Sequence, residues 1–434
     1  MTVQFSRRSA LGLLGALALP VDLASGAPSP PQAAQPAGAI PAVPDLGNLH
    51  ETMTWLSREN SPRLSFLDSK WRSLDAWKKT ARPVFRQHLR YDPKPLPLAA
   101  EVLGREERDG FTIESVKIRA TEAYDIPAKV LIPSAAALSG SSATGTAKSR
   151  LPGVLALHCH SGRYVWGHEK VISSPRDSEA LVEFRERDGR PYAELLARQG
   201  FVVVVIDALY FGERRLRAEA LDPATALADA REVLRSLPAL TAGSREWMAA
   251  VNRVSSLYET VTAKTIFAAG ATWPGMLAWD DARSLDYLCS RPEVDRERVG
   301  CLGLSGGGLR TAVLIAADPR VKAACVTGWM PEFAQLLRNH IKSHTWMAYI
   351  PGLHESLDLP DAAALMAPGA LLVQQCRRDN LYPMAAMEGA VKKLERIYAK
   401  AGIPERFKGS FHDEPHSFRP QMQDEAFEWM KRWL

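Results

Sequence analysis

No two of the five cysteines, Cys159, Cys289, Cys301, Cys325 and Cys376, stand at a C-x-x-C spacing, which argues against a zinc knuckle or a dithiol redox motif. Four of them fall in or beside apolar strands or helices, where a free thiol behaves as a small hydrophobe; one disulfide stays open for an exported chain. Charge of one sign is not concentrated anywhere. The 54 basic and 49 acidic residues leave +5 over 434 residues, and no basic stripe of the kind that grips nucleic acid is present. No internal repeat is found, and no apolar run is long enough for a comfortable membrane span. What remains is ordinary globular composition, 46% apolar and 24% charged, on a chain long enough for a large core. That length fits two or three domains, or one α/β domain with insertions.

The N terminus reads Ser6-Arg7-Arg8-Ser9-Ala10-Leu11 before a short Ala/Gly-rich apolar run. This resembles a twin-arginine leader over residues 1–27, with small residues Ser25, Gly26 and Ala27 at the cleavage region. Periplasmic or secreted location is expected, cytoplasmic being the alternative. An export route for folded proteins also suits unpaired cysteines. Residues 28–45, rich in Pro, Ala and Gln, read as a disordered linker. A helical extension is expected over 46–110, with helices near 48–58 and 73–88. Trp71, Leu74, Trp77 and Val84 would form the apolar face of the second.

Residues 111–119 and 126–132 read as a hairpin, and residues 135–150 as a surface loop. Apolar strands follow at 153–158, 201–206, 299–302, 321–327 and 371–375, with a last strand at 406–411; helical stretches include 192–199, 309–317 and a closing amphipathic one at 424–433. The run Phe201-Val202-Val203-Val204-Val205-Ile206 lacks alternation, as a parallel strand covered on both faces should. The expectation is an α/β fold with a mostly parallel central sheet and helices on both faces. Its site would gather at the carboxyl ends of the strands. Two largely helical insertions, 214–272 and 331–368, leave from such ends and could wall or cover a cleft.

The chemistry centres on Gly303-Leu304-Ser305-Gly306-Gly307, which fits G-x-S-x-G between a strand and a helix, the context of a nucleophile elbow. A serine hydroxyl needs a base. His416, on a polar loop between the last strand and the last helix, is preferred to His412. The base needs an acid to fix its tautomer. Asp379, after the strand at 371–375, is preferred to Asp413, which lies three positions from His416. An oxyanion needs amide donors, here Gly306 N–H and the N–H of His160, with Ser161 next. His158, Cys159, His160 and His168 include metal-ligand types, but no matching cluster completes a site; neither a metal nor a cofactor is expected. Glu213, Arg214 and Arg215 read as core-bracing ion pairs. Tyr164, Trp166, Trp273, Trp329, Trp346 and Tyr349 are candidate cleft residues.

The chain resembles the α/β-hydrolase superfamily, and within it bacterial proteins grouped with dienelactone hydrolases and acetyl xylan esterases. The resemblance spans residues 111–434. It rests on Leu157-His158-Cys159-His160-Ser161-Gly162, on Asp207-Ala208-Leu209-Tyr210-Phe211-Gly212-Glu213-Arg214, and on Asp281-Ala282-Arg283-Ser284-Leu285-Asp286-Tyr287-Leu288. It continues through the stretch 292–300, the Ser305 elbow, Asp379 and His416. It implies a serine ester hydrolase with chain order Ser305, Asp379, His416. It departs from dienelactone hydrolases proper, which are short and use a cysteine nucleophile, and from related esterases that carry glycine where Cys159 stands. Acetylated or otherwise esterified plant carbohydrate is the first-ranked substrate on the resemblance alone, with lipid, aromatic and small xenobiotic esters open. No nucleic-acid partner and no stable membrane insertion are expected. The rivals are an amidase or peptidase with the same triad, and a non-catalytic binding protein on the same fold.

Overall fold

The computed structural model describes residues 43–134 and 150–434. The expected leader, most of the expected linker and nearly all of the expected loop at 135–150 lie outside these residues. The frame is one nine-stranded sheet in the order β1-β2-β3-β5-β4-β6-β7-β8-β9. The strands are β1 Glu101–Arg108, β2 Phe111–Arg119, β3 Asp125–Pro133, β4 Leu151–Leu157, β5 Val202–Ile206, β6 Val294–Leu304, β7 Ala323–Thr327, β8 Ala370–Cys376 and β9 Phe407–His412.

The sheet is mixed, which corrects the expectation of a mostly parallel one. From β5 through β9 every neighbour is parallel. The β1–β2, β2–β3 and β3–β5 pairs are antiparallel. The cause is connection length: two residues, Asp109 and Gly110, join β1 to β2, too few for anything but a hairpin. β1 was missed in the sequence because it is almost wholly exposed and carries five charged residues in eight, so it has no hydrophobic pattern. Such charge suits an edge strand that must not recruit a neighbour.

Burial follows the pleat. Val202, Val204 and Ile206 of β5 enter one core layer while Val203 and Val205 enter the other. Helices Trp273–Ser290, Gly306–Ala317 and Met384–Lys400 pack on the first face, and Glu179–Asp188, Tyr192–Arg198 and Pro420–Trp433 on the second. The stretch 214–272 contains a long helix, Arg245–Ala268, with a small core of its own that includes Leu234, Leu237, Val251 and Val254. Arg214 pairs with buried Asp280 at 2.7 Å and Arg215 with Glu219 at 2.7 Å, so both brace the fold. Among the described residues all five cysteines are free, four of them buried, and no helix is long and apolar enough to cross a membrane.

Helix Leu74–Leu89 buries Trp77, Ala81, Phe85 and Leu89, an i, i+4 stripe that runs beside Val84 rather than through it. Trp77 is fully buried. Its Nε1–H donates to the Leu64 carbonyl at 2.6 Å, and its ring lies 5.3 Å from that of Phe66. Removing it leaves both a cavity and an unpaired carbonyl. Trp77→Ala is expected to destabilise by about 3–5 kcal/mol, read as a lowered urea midpoint at unchanged slope.

Candidate active site

Ser305, Asp379, His416 and His160 each stand just past the carboxyl end of a parallel strand, where loops from neighbouring strands meet. Ser305 follows β6 directly and immediately precedes helix Gly306–Ala317. Its dihedrals, φ +58° and ψ −116°, lie outside the basins an L-residue ordinarily occupies. The surroundings hold it there. Ser305 N–H donates to Thr327 O at 2.9 Å, and Leu309 N–H donates to Ser305 O at 2.8 Å. The glycines after it exist for contact. A Cβ on Gly307 would sit 1.9 Å from the Leu157 carbonyl oxygen, and one on Gly306 would sit 2.9 Å from the His160 amide nitrogen. The strand β4, the turn and the loop that follows β4 therefore close to backbone contact.

Asp379 and His416 are brought together. His416 Nδ1–H donates to Asp379 Oδ2 at 2.6 Å, while Asp379 Oδ1 accepts from Leu381 N–H at 2.9 Å. A carboxylate can only accept, so the proton of neutral His416 lies on Nδ1 and the lone pair on Nε2. Nε2 is buried and has no partner among the described residues. The ring lies on Gly328, the residue after Thr327: a Cβ there would be 3.0 Å from His416 Cε1. Burial pushes the His416 pKa down, but the charge and hydrogen bond of Asp379 together outweigh it and leave it above the ordinary histidine value. The decoys are occupied elsewhere: His412 Nε2 pairs with Glu425 at 3.1 Å, and exposed Asp413 with Arg378 at 3.1 Å.

His160 has a different carboxylate. Its Nδ1 accepts from Gly162 N–H at 3.0 Å, so Nε2 carries the proton and donates it to Glu259 Oε1 at 2.6 Å. Glu259 is buried on the long helix Arg245–Ala268. It also accepts from Tyr164 Oη–H at 2.9 Å and Thr345 Oγ1–H at 2.9 Å. Burial alone would raise its pKa; these hydrogen bonds, that of His160 foremost, hold it below the usual carboxylate range. One carboxylate thus ties together the loop after β4 and both long inserted stretches. Gly306, His160, Thr345 and Met347 border a void of about 10 Å³, room for roughly one water.

The candidate aromatics have different surroundings. Tyr164 is buried and stacked on Phe211. Trp166 packs on Phe184 in the second core layer, and Trp273 is fully buried against Tyr210. Trp346 donates from Nε1 to Thr260 Oγ1 at 3.2 Å, and Tyr349 from Oη to Ile341 O at 2.7 Å. Trp329 meets His344 edge-on at 5.4 Å. His344, stacked on Tyr382, is driven by burial to a pKa of about 4 and so is neutral. Trp329 Nε1 and His344 Nε2 are buried without partners among the described residues. Glu259 and His344 were missed in the sequence reading, because neither belongs to a spaced motif.

The residues that could hold a metal are otherwise engaged. His168, Glu169 and Asp207 place one ligand atom each within 4.8 Å. Yet Asp207 Oδ1 accepts from His168 N–H (2.7 Å) and Nδ1–H (2.9 Å), and Oδ2 from Glu213 N–H (2.9 Å). His158 donates from Nδ1 to Cys159 O and accepts at Nε2 from Ala208 N–H. Both groups serve to pin loops.

The backbone contact at Gly307 sets an expectation that needs no assay. Gly307→Ala should lose about 3 kcal/mol or more in urea unfolding, since the obstacle is backbone that cannot rotate away. Gly104→Ala, with nothing within 4 Å of the added carbon, should stay within about 0.5 kcal/mol of the parent.

No protein-family model matches the chain. A curated relative from Bacillus subtilis (strain 168), named "Putative hydrolase YtaP", is 23% identical over 344 residues, covering 79% of this chain and 95% of its own length. Two solved structures share the fold. One, from Bacteroides fragilis, bears the name "putative acetyl xylan esterase"; it is 16% identical with a TM-score of 0.60, and the match covers 83% of this chain and 81% of that one. The other is a glucuronoyl esterase from Solibacter usitatus, 15% identical with a TM-score of 0.55, covering 83% and 94%. The resemblance to α/β-hydrolase-like esterases read from the sequence is met by these neighbours.

Proposed function

We propose that the chain is a serine carboxylic-ester hydrolase in which Ser305 is the nucleophile, His416 the general base and acid, and Asp379 its orienting partner. The observation that carries this reading is the His416–Asp379 pair, with Nε2 left unpartnered and the ring on Gly328, next to Thr327, whose carbonyl holds the amide of a serine in a strained strand-to-helix turn. Strain of this kind, worth about 1–3 kcal/mol, persists where the surroundings over-determine it and clusters at reactive sites.

His416 Nε2 takes the proton of Ser305 Oγ as Oγ bonds to the ester carbonyl carbon. The carbonyl oxygen, now anionic, is met by two amides. Gly306 N–H, the first of its helix, has no partner within that helix, and the His160 amide nitrogen lies 2.9 Å from where a Gly306 Cβ would sit. As the intermediate collapses, the bond to the alcohol oxygen breaks and the imidazolium returns its proton to that oxygen. Water then repeats the sequence on the acyl-enzyme and releases the acid. His160 cannot replace His416, since its two nitrogens are committed to Gly162 and Glu259. Carbohydrate esters are the substrate class we favour, on the support of neighbours named for acetyl xylan and glucuronoyl esters. Trp329 and His344, neutral and with unsatisfied polar atoms, are candidates to contact the bound alcohol.

Three outcomes test the reading. Ser305→Ala should lose hydrolysis of p-nitrophenyl acetate and acetate release from acetylated xylan, and should no longer be labelled by a fluorophosphonate. Equal rates for parent and variant on every ester would reject Ser305. The pH dependence has a definite sign. The base must be neutral and its pKa is raised, so kcat/KM should rise with pH through an inflection above the ordinary histidine value of about 6.5. In Asp379→Asn the rate should fall by about 10⁴-fold, through loss of the correct tautomer.

A further inference from the structure

Lysine is rarely buried without a task, and Lys170 is 4% exposed. It stands at the end of the short turn His168–Lys170. That turn is pinned by Asp207, which accepts from His168 N–H and touches Gly167 so closely that a Cβ there would lie 2.1 Å from Oδ1. The pinning delivers Lys170 Nζ to two backbone carbonyls, Cys159 O at 2.8 Å and His160 O at 3.1 Å. The Phe211 ring centroid lies 4.4 Å from Nζ. Among the described residues, no carboxylate comes within salt-bridge distance of it.

The carbonyl of Cys159 and the amide N–H of His160 belong to one peptide group. That carbonyl accepts from both Lys170 Nζ and His158 Nδ1–H, the latter at 3.0 Å. A cation bound to an amide oxygen draws electron density from the amide and makes its N–H a stronger donor, an effect that low dielectric enhances. We propose that Lys170 is a positioning residue of the oxyanion hole: its ammonium holds and polarises the Cys159–His160 peptide, so that His160 N–H binds the developing oxyanion more strongly. The proposal rests on the ester-hydrolase reading and adds to it a charged group that acts through the backbone without touching substrate.

The surroundings let the charge be titrated. Burial lowers the Lys170 pKa to about 8, against opposition from Cys159, Glu169, Asp207 and Asp188; His158 and Arg185 also lie close by. His158, with its pKa pushed far down by burial, adds no competing charge. Above about pH 8 the ammonium becomes an amine, and the peptide loses its polarising partner. The rate should therefore rise through the His416 inflection and fall again through a second one near 8.

The test compares the full chain with Lys170→Met and Lys170→Arg, measuring kcat/KM for p-nitrophenyl acetate from below neutrality to well above pH 8, with thermal melts and fluorophosphonate labelling of Ser305. Lys170→Met should lower the neutral-pH rate by about tenfold, less than the 10²–10³-fold for deleting an oxyanion donor outright. It should keep the ascending limb and lose the descending one. Lys170→Arg, charged at every pH, should restore most of that rate and also lack the descending limb. Two results overturn the proposal: a Met variant whose pH profile matches the parent, or an Arg variant that keeps the descending limb. The Arg profile decides alone where the Met variant fails to fold. Absence of both turnover and labelling in the parent rejects the ester-hydrolase reading and Lys170 with it. Turnover in the parent, none in Ser305→Ala and an unaltered Lys170→Met reject Lys170 alone.

Discussion

The turn at Ser305 is possible only because backbone, not side chains, surrounds it. The Leu157 carbonyl occupies the place where a Gly307 side chain would go, and Thr327 O holds the Ser305 amide. These contacts come from β4 and β7, the strands on either side of β6. The register of three parallel strands thus sets the conformation of one residue. A strained residue persists when relaxing it would break several other interactions at once, and here relaxation would disturb the middle of the sheet.

Around that turn the protein sets two histidine–carboxylate pairs that differ in which nitrogen faces the acid. His416 gives Nδ1–H to Asp379 and keeps a lone pair at Nε2. His160 gives Nε2–H to Glu259 and spends its Nδ1 lone pair on Gly162 N–H. The first keeps an unshared lone pair, whereas the second has both ring nitrogens in hydrogen bonds and serves to fix a loop. Composition does not distinguish these roles; the hydrogen bonds that use up each ring do.

Much of this was legible from residue order. The parallel half of the sheet announced itself in runs such as Val202 to Ile206, because both faces are covered. Ser305, Asp379 and His416 could be chosen because each falls just after an expected strand. Of the antiparallel edge the β2–β3 hairpin was recognised but β1 was not: it has no apolar pattern, and only the Asp109-Gly110 pair, a two-residue hairpin signal, marked it. Glu259 and Lys170 were equally hidden. A glutamate in a charged helix and a lysine in a polar loop look solvated until the fold removes the water, and their partners lie 99 and 11 positions away, at no recognisable spacing.

The three-way junction at Glu259 has a consequence for how such a chain can be recombined. His160 and Tyr164, from the loop after β4, and Thr345, from the second inserted stretch, converge on one carboxylate from a helix nearly a hundred residues downstream of the first. Exchanging either inserted stretch for a relative's, as one would to transplant selectivity, would orphan a buried charge or a buried ring. A chimera has to carry these four positions as one unit, and its natural crossover points fall on either side of the whole set.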